Sequence, residues 1–184
     1  MIFKDFDISV TNCNHSQYVE QIITEIAQSA KARGIGVANK SKEHLLERIN
    51  SGNSVIAINI NSKKWAGFCY IDLWNLDKFI VHSGLIVNPI YRNYGLAKVI
   101  KKTIFDYSKK KYPDYRIFGI TNSAAVMKIN SDLGYTPVSF AEITQDIEFW
   151  KGCKSCVNYE ILKQKKYKNC LCTALLYNNI KQKK

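Results

Sequence analysis

No apolar run in this chain reaches the roughly 18–20 residues that a helix needs to cross a bilayer. The N-terminus, Met1-Ile2-Phe3-Lys4-Asp5, has no basic stretch followed by a long apolar one, which argues against a secretory leader. These absences lead us to expect a cytoplasmic protein with no membrane partner. Acidic residues are few: 15 Asp and Glu stand against 27 Lys and Arg, a formal net charge of +12. That balance suits a polyanionic partner, either nucleic acid or a phosphorylated small molecule. Yet no aromatic-interleaved basic stripe and no helix-turn-helix pattern accompany the lysines. They cluster at Lys109-Lys110-Lys111, Lys163 to Lys168 and Lys181 to Lys184. Solvated faces and a polar tail account for them better than a nucleic-acid surface does. No internal repeat is evident, and no linker divides the chain.

What is present describes a globular protein with a real core. Its 184 residues suit one domain, or one domain with a small appendage, and 46% of them are hydrophobic. Six cysteines without a leader argue against a disulfide framework. Four lie close together as Cys153-x-x-Cys156 and Cys170-x-Cys172. They could supply four thiolates to a structural zinc ion, or be reduced and buried, or be redox-active.

Periodicity outlines the elements. Residues 3 to 10 read as a first strand. Val19, Ile22, Ile23, Ile26, Ala27 and Ala30 recur at helical spacing, with Ser16 as N-cap and Gly34 as the stop. Arg33 to Lys40 reads as a basic loop with two glycines. Ser41 caps a second helix carrying Leu45, Leu46 and Ile49. Ser54 to Ile60 and Trp65 to Trp74 form a hairpin, and Phe79 to Val87 is a third strand, ended by Asn88-Pro89. Leu96 to Tyr112 is an amphipathic helix with Val99, Ile100, Ile104, Phe105 and Tyr107 inward and the lysines outward. Arg116 to Thr121, Ser123 to Leu133 and Pro137 to Phe140 follow as strand, helix and strand, and Asn158 to Leu162 with Leu171 to Tyr177 as a last strand pair. The order is a mixed α/β (α+β) pattern.

The chemistry concentrates where a strand runs into Pro89, a turn carries Arg92 and Gly95, and a helix opens at Leu96. The first amides of a helix lack internal partners, and with the helix dipole they make an anion site suited to a pyrophosphate. Gly95 and Ala97 let phosphate oxygens approach the backbone, and Arg92 adds a charge-assisted donor.

Two blocks carry a family resemblance. The first is Val87-Asn88-Pro89-Ile90-Tyr91-Arg92-Asn93-Tyr94-Gly95-Leu96-Ala97, and the second runs from Asn122 to Leu133-Gly134-Tyr135. In order and spacing they resemble the GNAT superfamily of N-acyltransferases, over about residues 15 to 140. The resemblance implies the GNAT fold: a mixed central sheet splayed between two strands and flanked by helices. We expect an acyl-CoA-binding catalytic domain over residues 1–144, with 145–184 as an extension packed on the same domain, covering the acceptor site or, by the spacing of its four cysteines, holding zinc. The resemblance also implies acetyl-CoA or another short acyl-CoA as donor. The backbone of Leu85, Ile86 and Val87 would pair with the pantetheine arm. The turn Arg92, Asn93, Tyr94, Gly95, Leu96 and Ala97 would hold the pyrophosphate, and Asn122 would support the cofactor.

The departures matter as much. Many members carry a tyrosine, the acid for the leaving thiolate, where this chain has Asn130. Tyr91, Tyr94 and Tyr135 are the alternatives nearby. His82, on the strand entering the site, is the candidate base, or Ser83 would orient a water. For the acceptor, the loop residues Arg33 and Lys40 suit a carboxylate. Residues 33 to 49 and the tail Phe149 to Tyr159 resemble a narrower, cysteine-tailed subgroup associated with arginine and amino-acid biosynthesis. That likeness implies a small acidic amino acid such as glutamate as acceptor and acetyl- or succinyl-CoA as donor; we expect a monomer or homodimer. Two other readings stay open: a protein or peptide N-acetyltransferase, and a non-catalytic acyl-CoA or nucleic-acid binding module.

Overall fold

The computed structural model describes residues 1–33, 41–156, 159–168 and 170–178. Its described strands form one eight-stranded sheet in the order β1-β2-β3-β4-β5-β6-β8-β7. They are β1 (Ile2–Phe3), β2 (Phe6–Val10), β3 (Ser54–Asn59), β4 (Trp65–Trp74), β5 (Phe79–Val87), β6 (Arg116–Thr121), β7 (Thr136–Val138) and β8 (Thr173–Tyr177). The helices are α1 (Val19–Arg33), α2 (Lys42–Asn50), α3 (Leu96–Lys111), α4 (Ala124–Asp132), α5 (Ile147–Lys151) and α6 (Tyr159–Gln164). β5 and β6 pair in parallel through Phe79↔Arg116, Ile80↔Ile117 and Val81↔Phe118. β1–β2, β2–β3, β3–β4, β6–β8 and β7–β8 are antiparallel. This is the expected mixed α/β class. Among the described residues no helix is long and apolar enough to cross a membrane.

Contacts divide the chain into two units. The first comprises Met1–Arg33, the described part of Lys40–Asp72, and His82–Tyr107. Its core is built on β3 and β4. Trp65 to Asp72 of β4 is buried at every position, so this strand reads as a nearly continuous apolar run rather than an alternating one. Leu45 and Ile49 of α2 and Leu96, Ile100 and Ile104 of α3 are also buried in this unit. Ser41 caps α2 as expected, accepting from the His44 amide at 3.1 Å.

Two expectations in this unit are corrected. The N-terminal strand is a hairpin, turned at Lys4 with φ 51°. No Gly or Asn marks that turn. Ser16 does not cap α1. It lies inside a 3-10 turn, Cys13–Tyr18, whose cap is Asn12, accepting from the Asn14 amide at 3.0 Å. The Ser16 hydroxyl instead donates to Asn50 Oδ1 at 2.9 Å.

The second unit includes Leu73–Val81 and the described part of Ser108–Lys184. Its core gathers Phe79, Val81, Phe118, Phe140, Ile143, Trp150, Leu162, Ala174 and Leu176. Phe118 meets Phe79 and Phe149 edge-on at 5.5 and 5.2 Å between ring centres. Here the expected strand at Asn158 to Leu162 is corrected to the helix α6. Leu162 is buried, neighbouring Ile161 is 41% exposed, and Tyr159 packs on the same core three residues before Leu162. That is helical rather than alternating spacing. The strand expected to pair with it, β8, pairs with β6 and β7 instead.

Trp150 holds this core together. It is 2% exposed, its indole N–H donates to the Thr144 carbonyl at 3.1 Å, and its ring contacts Phe140 and Phe149. Trp150→Ala should cost about 3–5 kcal/mol, the usual range for emptying a large aromatic site, and Trp150→Phe clearly less. Urea unfolding of the full chain measures both. A loss under about 1 kcal/mol for the alanine variant would show that the core does not depend on this ring.

Candidate functional site

β5 is not a regular strand. Gly84 has φ +64°, and a Cβ there would lie 2.5 Å from Cε1 of Tyr70. The strand therefore takes a left-handed turn at Gly84 beside the edge of the Tyr70 ring, where any side chain would both strain the backbone and meet that ring. Past the kink, the Asn88 amide donates to the Ala66 carbonyl at 2.9 Å, and the Asn88 side chain accepts from the Ile90 amide. Pro89 then opens a single 3-10 turn, Pro89–Tyr91.

From there the backbone wraps tightly. Asn93 and Gly95 both have positive φ, 67° and 83°. The turn from Arg92 to Gly95 is exposed, while Leu96, the first residue of α3, is buried. Successive amides in such a turn, continued by the free amides of a helix start, form a concave donor set for an anion. The turn is buttressed from below. Phe6 of β2 takes the rings of Tyr91 and Tyr94 edge-on at 5.2 and 6.2 Å, and Lys4 donates to the Tyr94 carbonyl at 3.3 Å. Tyr91 and Tyr94 therefore anchor the turn.

Arg92 is already engaged. Its Nη2 donates to Glu25 Oε1 at 2.8 Å and to the Ser29 hydroxyl at 3.0 Å, both on α1, and its Nε to the Val87 carbonyl at 3.2 Å. The guanidinium is thus fixed beside the donor turn by an ion pair that an incoming phosphate would compete with.

Beneath β5 lies a buried set of ionisable groups: Cys69 of β4, His82 of β5 and Lys101 of α3. Cys69 Sγ donates to the Ser83 carbonyl at 3.4 Å. Burial pushes the Cys69 thiol up to about 11 and the Lys101 ammonium down to about 8. Burial, and then the Lys101 charge, hold His82 well below the usual imidazole value. Lys101 corrects the expectation that every lysine of α3 points outward: it is 2% exposed. Its spacing one residue after Ile100 and three before Ile104 places it on the apolar face, so helical periodicity alone could have found it.

A second group, not anticipated, sits on α2 and β4. Asp72 is 6% exposed. Its Oδ1 accepts from Arg48 Nε at 2.8 Å and lies 3.1 Å from His44 Nε2. The His44 ring meets Tyr70 edge-on at 5.5 Å. Tyr70 Oη is buried near the Ser83 side chain without meeting hydrogen-bond geometry, and burial followed by the Asp72 charge raises its pKa well above the usual phenol value. The signal was available: His44 and Arg48 are i, i+4 on one helix, and Tyr70 and Asp72 are i, i+2 on one strand.

No protein-family model matches the sequence, and no curated protein sequence matches it. The architecture does find relatives among solved structures. N-acetylglutamate synthase from Neisseria gonorrhoeae, complexed with coenzyme A and N-acetyl-glutamate, aligns with 98% of this chain at TM-score 0.66 and 13% identity. This chain spans 36% of that protein's length. The protein designated yncA from Salmonella typhimurium, with acetyl-CoA, aligns at TM-score 0.65 and 10% identity over 98% of both chains. A GNAT-family acetyltransferase from Staphylococcus aureus aligns at TM-score 0.59 and 19% identity, covering 76% of this chain and 89% of that one. The fold is the GNAT fold.

Within this GNAT fold the expected site residues fall in both units. Leu85, Ile86, Val87, the turn from Arg92 to Ala97, His82 and Ser83 belong to the first unit. Asn122 belongs to the second, half-buried between β6 and the Ser123 cap of α4. Asn130, at the position where the resemblance leads us to expect tyrosine, is 1% exposed, and its buried Oδ1 has no hydrogen-bond partner among the described residues. The loop residue Lys40 and the side chain of Arg33 lie outside the described residues.

The buried ionisable set predicts how stability responds to pH. Lys101 has a folded pKa near 8, below the usual 10.5, so between those values the unfolded chain binds more protons and stability rises with pH. Cys69 has the opposite sign between 9 and about 11, because there the folded thiol keeps its proton. From pH 8 to 9 Lys101 alone contributes a gain of about 1 kcal/mol, partly offset because the Cys69 and Cys172 thiols, held up in the folded state, begin to ionise in the unfolded chain. Urea midpoints at the two pH values should show the wild type gaining about 1 kcal/mol relative to Lys101→Met. Equal slopes in both proteins would disprove this account of Lys101.

Proposed function

We propose that the chain is an acyl-CoA-dependent N-acyltransferase, moving an acyl group directly onto the amine of a small molecule. The observation that carries this reading is the donor turn at Arg92 to Ala97, set at the end of a kinked β5 within a GNAT fold. The Neisseria and Salmonella relatives of that fold hold coenzyme A or acetyl-CoA by their descriptions. A net charge of +12 favours an anionic donor such as this one.

Each residue then has a task. The amides of Arg92 to Ala97 and the guanidinium of Arg92 hold the donor's pyrophosphate. The backbone of Leu85, Ile86 and Val87 pairs with the pantetheine arm as an added strand would. Asn122, in the second unit, remains a donor candidate on sequence grounds. The acceptor's neutral amine attacks the thioester carbonyl. A C–N bond forms, the C–S bond breaks, and the electron pair leaves with the thiolate. The amine's proton must pass to a base, and His82 is the candidate by position, with Ser83 ordering a water. Its burial keeps the imidazole neutral at pH 7, the form that can accept a proton.

For the acceptor we propose an amino acid, glutamate first. The cysteine-bearing tail and the N-acetyl-glutamate bound by the Neisseria relative support that choice. The network of His44, Arg48, Tyr70 and Asp72 would take part in recognising it. Arg33 and Lys40 remain acceptor candidates on sequence grounds.

Calorimetric titration tests the donor site directly. Coenzyme A should bind the wild-type protein, and Arg92→Ala should weaken it roughly 10- to 100-fold, the loss expected for charged hydrogen bonds. Absence of any heat with wild-type protein would refute the reading. The base is tested by turnover. His82→Ala should lower kcat/KM by about 100-fold or more, and the acidic limb of the wild-type profile should lie well below pH 6.5. A fall of less than about threefold would remove His82 from the mechanism.

A further inference from the structure

We propose that Glu25 of α1 is a built-in competitor for the donor's pyrophosphate: it holds Arg92 in the donor-free protein and so lowers the affinity of the turn for every coenzyme A species, an inference that rests on reading Arg92 to Ala97 as the donor turn.

The contact is built from two residues one turn apart on α1. Glu25 and Ser29 stand at i and i+4, which sets both side chains on one helix face. The Ser29 hydroxyl donates to Glu25 Oε1 at 2.6 Å. That same Oε1 accepts from Arg92 Nη2 at 2.8 Å, and Nη2 also donates to the Ser29 hydroxyl at 3.0 Å. The three groups form a closed triangle. The Glu25 side chain is 12% exposed and that of Arg92 47%, and Ser29 is buried. The carboxylate is therefore the fixed partner, and the guanidinium is the one that a ligand can reach from solvent.

The nitrogen that Glu25 takes is the one a phosphate needs. A guanidinium grips a phosphate by two parallel bonds along either of two edges, Nε with Nη2 or Nη1 with Nη2. Nη2 belongs to both edges, and Nη2 is the atom that Glu25 and Ser29 hold. Nε is engaged as well, by the Val87 carbonyl at 3.2 Å. A two-pronged grip on a phosphate thus requires Nη2 to leave Glu25. Carboxylate and phosphate offer the guanidinium the same charge sign and the same pair of acceptor oxygens, so one can replace the other.

Release of Glu25 does not strand a buried charge. Its side chain borders an open cleft of about 380 Å³ that it shares with the polar side chains of Gln21, Thr24, Gln28 and Asn88. Water entering that cleft can take the place of the guanidinium, and the Ser29 hydroxyl is already on the carboxylate.

The consequence falls on both ends of the reaction. Acetyl-CoA and coenzyme A carry the same pyrophosphate, so an internal competitor weakens substrate and product by the same factor. Uniform weakening of that kind leaves the chemical step untouched. It limits how firmly the spent coenzyme A holds the turn, and product release is a common limit on turnover.

Calorimetric titration with coenzyme A at one fixed ionic strength tests this. Glu25→Gln keeps an oxygen for Ser29 and Arg92 but removes the charge, and should bind coenzyme A about five- to tenfold more tightly than wild type. Glu25→Asp keeps the charge but draws it back from Nη2 by one methylene, and should also bind more tightly, by roughly threefold. In an Arg92→Ala background both gains should shrink to less than about twofold. Unchanged or weaker binding by Glu25→Gln, or by Glu25→Asp where the glutamine variant does not fold, would overturn the inference, because Glu25 would then only position Arg92. Equal gains with and without Arg92 would overturn it too, since the carboxylate would then act on the phosphates through space rather than through the guanidinium. The donor reading fails differently: coenzyme A would give no heat with any of these proteins, and this inference would fall with it.

Discussion

The contact between Gly84 and the ring of Tyr70 constrains more of this structure than any other. With no Cβ at position 84, β5 can take φ +64° and pass close beside the edge of the Tyr70 ring. That kink fixes how β5 leaves the sheet. It delivers Asn88 to the Ala66 carbonyl and Pro89 to a single 3-10 turn, and so sets where Arg92 to Gly95 project into solvent. The same ring carries the edge of His44, which in turn faces Asp72. A substitution at 84 would strain the backbone and drive a carbon into Tyr70. The donor turn on one side and the His44–Asp72 group on the other would both feel it.

The first unit also concentrates charge where burial makes charge expensive. Taking an ammonium or a carboxylate out of water costs several kcal/mol unless a partner compensates. Asp72 meets this cost with the Arg48 guanidinium at 2.8 Å. Lys101 and His82 meet it partly by favouring their neutral forms. A domain under selection for stability alone would fill these positions with apolar side chains. Both groups abut β5, where the chain departs most from regular structure. Ionisable residues pushed from their ordinary pKa values next to an irregular strand are the usual mark of a working site.

How much of this was legible in the sequence depended on what each signal measures. β5 and β6 have the expected limits because β-branched and aromatic runs end at turn residues, Asn88-Pro89 for one and Asn122-Ser123 for the other. α2 was legible because Ser41 caps it. α6 was missed because Tyr159-Glu160-Ile161-Leu162 has adjacent apolar residues, and so short a run fits either period until a core selects one face. The β1–β2 hairpin was missed because Lys4 takes a positive φ without the glycine that normally announces it. Lys101 escaped notice for a different reason. Reading lysine as solvent-facing is a rule about frequency, and the helical phase set by Leu96, Ile100 and Ile104 overrides it. The turn from Pro89 to Gly95 was legible because a proline and a glycine at that spacing advertise a tight backbone turn before a helix. The His44, Arg48, Tyr70 and Asp72 group was not, because it joins a helix to a strand across more than twenty residues and only the fold brings them together.

The asparagine at position 130 sharpens the question of how the reaction would close. A tyrosine there would protonate the departing thiolate. Asn130 is buried, its Oδ1 has no hydrogen-bond partner among the described residues, and an amide cannot surrender a proton at useful pKa. Of the tyrosines considered in its place, Tyr91 and Tyr94 set their rings on Phe6, and Tyr135 is 2% exposed with its ring against Tyr177. But the need for an acid is smaller than it first looks. An alkyl thiol has a pKa of about 8.5, so its thiolate is only slightly basic at neutral pH and can leave before it is protonated. The amine is the harder partner, because it is protonated in water and becomes positively charged on attack. The chemistry therefore asks more of a base than of an acid. A chain that gives up the tyrosine while keeping a neutral, buried imidazole at His82 is consistent with that order of need.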